Sequence, residues 1–187
     1  AGRWQPVVTG GPGPGGHRGW EQSAAGYTGV WATSNTRAAI WDAMMRRETF
    51  STTGPRMTVR FFGGYDFADS DAAGDVAKAG YSKGVPMGGD LKAAPAGKKA
   101  GFLIAAMKDP DGANLDRVQV IKGWIDAVGK SHEKVYDVAW SDPAARKPGV
   151  DGKVPAVGST VNGTRYANSI GAPVLSTWWQ DPDFDPG

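Results

Sequence analysis

The sequence predicts an α+β chain that is mostly β, and three observations carry that reading. Short runs of alternating apolar and polar residues recur, bounded by Gly, Pro, Asp and Asn. That is the pattern of half-buried strands joined by turns. One segment, residues 36–48, runs at a helical period without Gly or Pro. Gly 28 and Pro 13 in 187 residues suit many turns and few long helices. The expected architecture is an antiparallel β-sandwich over residues 49–187 with one flanking helix. Residues 1–48 are expected to be a Gly/Pro-rich arm followed by the terminal helix of an upstream domain.

The elements follow in chain order. Residues 1–26 contain VVTGGPGPGGHRGW, too rich in Gly and Pro for a helix or central strand. It is not a P-loop, because the GxxxxGK[ST] ending is missing and proline lacks the N–H donors a phosphate needs. The helix is expected to start at Ser34 or Asn35, whose side-chain oxygen can accept from an orphan backbone N–H. Ile40 and Met44 lie one turn apart, as do Trp41 and Met45, so the helix carries a wide apolar stripe. Arg46 and Arg47 fall in its last turn, where cations meet the negative end of the dipole. Residues 56–62 alternate, with Met57, Val59 and Phe61 on one face and Arg56, Thr58 and Arg60 on the other. Residues 69–79 read as a short helix weakened by Gly74, and residues 80–95 as a loop. The apolar run 101–108 reads as a central strand buried on both faces. Residues 115–125 and 134–140 read as a hairpin closed by VGKSHE. After a polar excursion over 142–158, residues 164–170 and 173–179 are the last strands.

The wording of several segments carries a family resemblance. The phrases GVWATSNTRAAIWDAMMRRETFSTTGPRMTVRFFGGYDF, YSKGVPMGGDL, KDPDGANLDRVQVIKGWIDAVGKSHEKVYDVAW and WWQDPDFDP closely resemble the C-terminal part of DUF3604, a large bacterial family of unknown function. Residues 47–55 are, more distantly, similar to a phrase late in PHP-type metal-dependent hydrolases. Family members are several times longer, and their DLHVHT-like and TDSH-like metal-binding phrases lie upstream of this stretch. Neither phrase occurs here. The resemblance implies the C-terminal part of a PHP-like metal-dependent hydrolase with a phosphoester-type substrate, inert on its own and with its sandwich cut short. It implies a divalent metal in the full-length protein and no cofactor in this chain. The implied partners are the upstream catalytic portion of the same protein and a small-molecule substrate. A periplasmic or secreted location is expected over a cytoplasmic one.

Composition narrows the rest. A net charge of +2 predicts neither a nucleic-acid tract nor a polybasic membrane anchor. No apolar run approaches the roughly 20 residues of a spanning helix. Cys 0 excludes disulfides, thiol chemistry and cysteine metal sites. The two histidines, His17 and His132, fall in the glycine arm and in the hairpin loop, without the clustered spacing of a metal site. Asp109, Asp111, Asn114 and Asp116 resemble an oxygen-ligand calcium loop. They lack its glutamate, however, and read as turn residues. Asp181, Asp183 and Asp185 read the same way.

The one dense polar cluster is Arg46, Arg47, Glu48, Thr49, Thr52, Thr53 and Arg56. Arginine forks suit phosphate or carboxylate, and hydroxyls orient them. Arg46, Arg47, Thr53 and Arg56 are therefore the candidate site residues, in supporting roles to a catalytic centre. Two other functional classes remain open. A carbohydrate-binding sandwich could stack sugars on Trp178 or Trp179, which point to opposite faces of a regular strand. A structural accessory domain is the third. Asn162-Gly163-Thr164 fits a glycosylation sequon, relevant only in a eukaryotic secretory setting.

Overall fold

The computed structural model describes residues 26–159 and 161–184. The glycine arm with His17, and Asp185, lie outside them. In chain order the elements are β1 (Thr28–Val30), α1 (Arg37–Met45), β2 (Thr49–Ser51), β3 (Thr58–Gly64), α2 (Asp69–Ala73), α3 (Val76–Lys83) and β4 (Gly84–Pro86). There follow β5 (Gly101–Met107), β6 (Arg117–Ile125), β7 (Ser131–Trp140), β8 (Val161–Asn162), β9 (Arg165–Tyr166) and β10 (Val174–Gln180).

The main sheet is antiparallel, in the order β10-β5-β3-β4. The run GFLIAAM takes an inner place in it, as its composition predicts. Leu103 and Ile104 point to opposite faces and are 0% and 1% exposed, so both faces are covered there. On one face Phe62 and Leu103 pack with Phe67, and Ala72, Val76 and Ala79 of the two short helices close over them with Trp178. On the other face Phe61, Phe102 and Trp179 form a row, with ring centroids 5.2 and 5.8 Å apart. Tyr136 of β7 packs on Trp179 at 5.0 Å and brings the β6–β7 hairpin against this face. Lys122 on Asp181, and Lys134 and Tyr136 on Asp183, pin the hairpin to the segment after β10.

The fold class is the expected one: α+β, mostly β and antiparallel. Several elements differ in detail, each for a local reason. Thr36, not Ser34 or Asn35, caps α1; its backbone is extended and its Oγ1 accepts from the Ala39 N–H. The helix stops at Met45 because Arg47 takes a left-handed φ of 61°, which turns the chain so that β2 can pair with β1. The helix expected over 69–79 is two helices. Gly74 separates them, and Asp75 caps the second by accepting from the Lys78 N–H. That second helix runs on through Gly80, where a loop was expected. A Cβ at Gly80 would lie 2.4 Å from the Phe62 ring, so this glycine lets the helix sit on the sheet.

The hairpin also differs. Asp126 accepts from the Val128 and Lys130 N–H groups and makes the turn earlier than expected. His132 therefore lies in β7 and not in a loop, bonded to Asp126 at 2.8 Å and stacked on Trp124. Leu115 bridges to Ala172 instead of opening β6. The strand expected over 164–170 shrinks to β9, because Asn168 is left-handed and its side chain accepts from the Asn114 N–H. The excursion over 142–158 is held by buried Arg146, which donates to the carbonyls of Asp116, Ser141 and Pro155.

Candidate functional site

A cleft forms where the main sheet loses an edge strand. β4 pairs with β3 only at Phe62, Gly63 and Gly64. Beyond that, the Val59 carbonyl would face open space. The Trp31 indole N–H donates to it at 2.9 Å, and the Trp31 backbone N–H donates to the Glu48 carbonyl at 3.1 Å. Trp31 is thus fixed by two hydrogen bonds from one residue.

Arg60 of β3 uses that ring as a floor. Its guanidinium carbon lies 3.4 Å from the Trp31 ring centroid and 5.7 Å from that of Tyr81 in α3. A cation over an indole face is attracted by the ring quadrupole. Nη1 of Arg60 donates to the Tyr81 hydroxyl at 2.9 Å and lies 3.6 Å from Oε1 of Glu48. The Tyr81 hydroxyl in turn donates to Glu48. Arg46, just past α1, donates through Nη1 to Asp42 and through Nη2 to Glu48 at 3.3 Å and to the Trp31 carbonyl at 3.5 Å. Trp31, Arg46, Glu48, Arg60, Tyr81 and Pro86 line a cleft of about 550 Å³. That lies within the range of small-molecule sites.

Glu48 is the charge at the centre, only 2% exposed. Burying a carboxylate costs several kcal/mol unless it is paired and hydrogen-bonded. Here two arginines and a phenol compensate it. Burial pushes the Tyr81 pKa up, and the hydrogen bond to the Glu48 carboxylate pushes it further, against the opposing effect of Arg60. Tyr81 is therefore held as a neutral donor.

Both terminal nitrogens of Arg46 are engaged. Those of Arg60 are not: among the described residues, Nη1 alone of its nitrogens has a hydrogen-bond partner. The Nε–Nη2 edge is the fork that matches two oxygens of a carboxylate, sulfate or phosphate group. Its side chain is 23% exposed, so the edge is reachable while its plane is fixed. This arrangement can bind and orient an oxyanion.

Of the four residues singled out from sequence, Arg46 lies in the cleft. Arg47 is 67% exposed and pairs with Asp90. Thr53 is exposed. Arg56 precedes β3 and is tied to Asp109 through its backbone N–H and to Asp111 through its side chain. Trp31, Arg60 and Tyr81 were not singled out. Arg60 falls on the polar face of a strand expected to be half-buried, which gives no signal of a site. Tyr81 gave none, because its helix was read as a loop.

The remaining candidates are placed as follows. In the DPDG turn, the Lys108 ammonium donates to the carbonyls of Asp109, Pro110 and Gly112 at 2.8, 3.0 and 3.1 Å. The side chains a calcium loop would use are bonded elsewhere: Asp109 and Asp111 accept from Arg56, Asn114 donates to the Asn168 and Ile170 carbonyls, and Asp116 accepts from Arg117 and Arg146. Trp178 packs in the helix-side core, and Trp179 is half-buried in the aromatic row. No three His, Cys, Asp or Glu side chains gather to hold a metal ion among the described residues. The divalent metal implied by the resemblance finds no fitting ligand set there. No helix among these residues is long and apolar enough to cross a membrane.

Fold and cleft together define a mostly-β α+β protein that presents one fixed arginine fork beside a buried carboxylate. A family model described as "Protein of unknown function (DUF3604)" matches residues 8–187, and the chain belongs to that family. The chain matches no curated protein and no solved structure.

Proposed function

We propose that this chain is the anion-recognising part of a PHP-like, metal-dependent hydrolase with a phosphoester-type substrate. The Arg60 cleft holds the substrate's oxyanion group. The observation that carries this is the open Nε–Nη2 edge of Arg60, whose guanidinium lies over the Trp31 ring and is braced by Tyr81. The hydrolase class is taken from the resemblance of residues 47–55 to a PHP-type phrase. The metal and the water it activates belong to the upstream catalytic portion of the protein, because the described residues offer no ligand cluster. Arg60 and Arg46 stabilise negative charge on the substrate, and Glu48 and Tyr81 hold Arg60 in place.

The test is tryptophan-fluorescence titration of the chain with phenyl phosphate and methyl phenyl phosphate. Saturable binding of at least one, lost in Arg60→Ala with circular dichroism unchanged, supports the reading. Binding indifferent to Arg60, or no binding, overturns it. The chain alone should also hydrolyse neither ester with added zinc, manganese or magnesium. Metal-dependent turnover lost on chelation would overturn the division of labour.

A second reading, a carbohydrate-binding module, is favoured by the half-buried row Phe61, Phe102, Trp179 and Tyr136. Aromatic faces of this kind stack on sugar rings. Saturable binding on a glycan array, abolished by Trp179→Ala, would put this reading first.

A further inference from the structure

The charge count of the cleft narrows the ligand further. We propose that it selects a singly charged oxyanion (a phosphodiester, a sulfate monoester or a carboxylate) over the dianion of a phosphate monoester. This rests on the reading that Arg60 binds an oxyanion.

The charged groups facing the cleft come from three sources. The first is the end of α1, where Arg46, just past the helix, lines the cleft and is paired with Asp42, which does not itself line it. The second is Glu48, just before β2, and the third is Arg60 of β3. Tyr81 of α3 is a neutral donor, and Lys78, one turn before it, is exposed. Two arginines stand against two carboxylates. Glu48 is only 3% exposed at its side chain and cancels one arginine in full. Asp42 is 64% exposed, so solvent screens part of its charge. The effective charge of the cleft lies between zero and +1.

Donor geometry agrees with that count. Arg46 spends its Nη1 on Asp42 and its Nη2 on Glu48 and the Trp31 carbonyl. Among the described residues that leaves the lone Nε of Arg46 and one complete fork, the Nε–Nη2 edge of Arg60, and one fork satisfies two oxygens of one oxyanion. A monoanion neutralises what is left uncompensated. A dianion brings a second charge within reach of buried Glu48, with no second cation to meet it. At the effective dielectric of a half-open site, one such charge costs about tenfold in affinity.

The test uses four probes with the same ring: phenyl sulfate, methyl phenyl phosphate, phenylacetate and phenyl phosphate. Binding to the chain is measured at pH about 5 and about 8, on either side of the second phosphate ionisation near about 6. No histidine lines the cleft, and histidine is the side chain that ordinarily titrates in that window. At the higher pH, at least one monoanion should bind about tenfold tighter than phenyl phosphate. At the lower pH, phenyl phosphate becomes a monoanion and should close most of that gap, while phenyl sulfate stays constant. The tightest monoanion identifies the source: sulfate ester, phosphodiester or carboxylate. Glu48→Gln should raise affinity for phenyl phosphate at the higher pH more than affinity for phenyl sulfate. Arg60→Lys, which keeps the charge and loses the fork, should weaken every probe. Arg60-dependent binding in which phenyl phosphate at the higher pH equals or beats all three monoanions overturns the selectivity and leaves anion recognition standing. Failure of every probe to bind in an Arg60-dependent way overturns both.

Discussion

Replacing Glu48 by Ala should destabilise the fold by about 2–4 kcal/mol, and the size follows from what it leaves behind. Glu48 is 2% exposed and compensates Arg60, Arg46 and the Tyr81 hydroxyl at once. Breaking a buried ion pair from one side costs about 3–5 kcal/mol, because the partner stays buried without its counter-charge. Arg46 is 40% exposed and keeps Asp42, so its share is reduced, and the cost shifts to about 1 kcal/mol below that range. Glu48→Gln keeps an acceptor for Tyr81 and loses only the charge, so it should cost about half as much. Urea unfolding followed by tryptophan fluorescence reads the difference. With a slope of about 2 kcal/mol per molar, the midpoint of Glu48→Ala should fall by about 1–2 M at unchanged slope. Adding Tyr81→Phe to Glu48→Ala should cost less than the same change in the native chain, since the hydroxyl has already lost its acceptor. A midpoint shift below about 0.3 M, or a larger loss for Gln than for Ala, would refute the view that Glu48 is the electrostatic centre of the cleft.

Three further predictions follow from the packing and the turns. Gly80→Ala should destabilise by about 1–3 kcal/mol through the clash with the Phe62 ring, although helix propensity alone would favour alanine; a raised melting temperature would remove the close-packing argument. Lys108→Met should cost about 1–3 kcal/mol in chemical denaturation, because three carbonyls of the DPDG turn lose one shared donor. Stability should also fall in acid. Burial pushes Asp116 up, but hydrogen bonds from Arg117, Val157 and Arg146 outweigh it and leave its pKa below the ordinary value. Asp137 is likewise pushed up by burial and brought lower by Val154, Gln119 and Arg117. A carboxylate with a depressed folded pKa contributes stability that is present above its unfolded value and lost as pH falls through the folded one. The melting temperature should therefore drop below pH about 4, and less steeply in Asp137→Asn; a flat profile there would count against the network.

How much of this was legible in the sequence differs by element. The strand Gly101–Met107 was legible because seven residues without a charge suit only an inner strand. The α1 region was legible from its period, yet its cap was not. Ser34, Asn35 and Thr36 are all good caps, and tertiary contacts choose among them. Gly80 misled because glycine is both a loop signal and the residue that permits close approach, and only the position of Phe62 separates the two. Arg46 and Glu48 were noticed because they sit in one dense cluster. Arg60 and Tyr81 were not, because they reach the cleft from β3 and α3, and no local pattern reports that two distant elements meet.

Closing the sheet edge and building the cleft are one structural act. β4 is short and ends at Pro86, which has no N–H to extend the ladder. An uncovered edge invites pairing with another chain, so native sheets cover or blunt it. Here the cover is the Trp31 indole on the Val59 carbonyl. The same hydrogen bond holds the ring beneath the guanidinium of the next residue, Arg60, and β1–β2 pairing delivers Glu48 beside it. The arginine is therefore rigid because the edge is closed, and it is open at one side because β4 does not extend that far. A substitution that frees Trp31 should loosen the fork and expose the edge together. For that reason the binding readouts proposed for Arg60 are taken on variants of the fork itself and of its counter-charge, which leave the Trp31 cover in place.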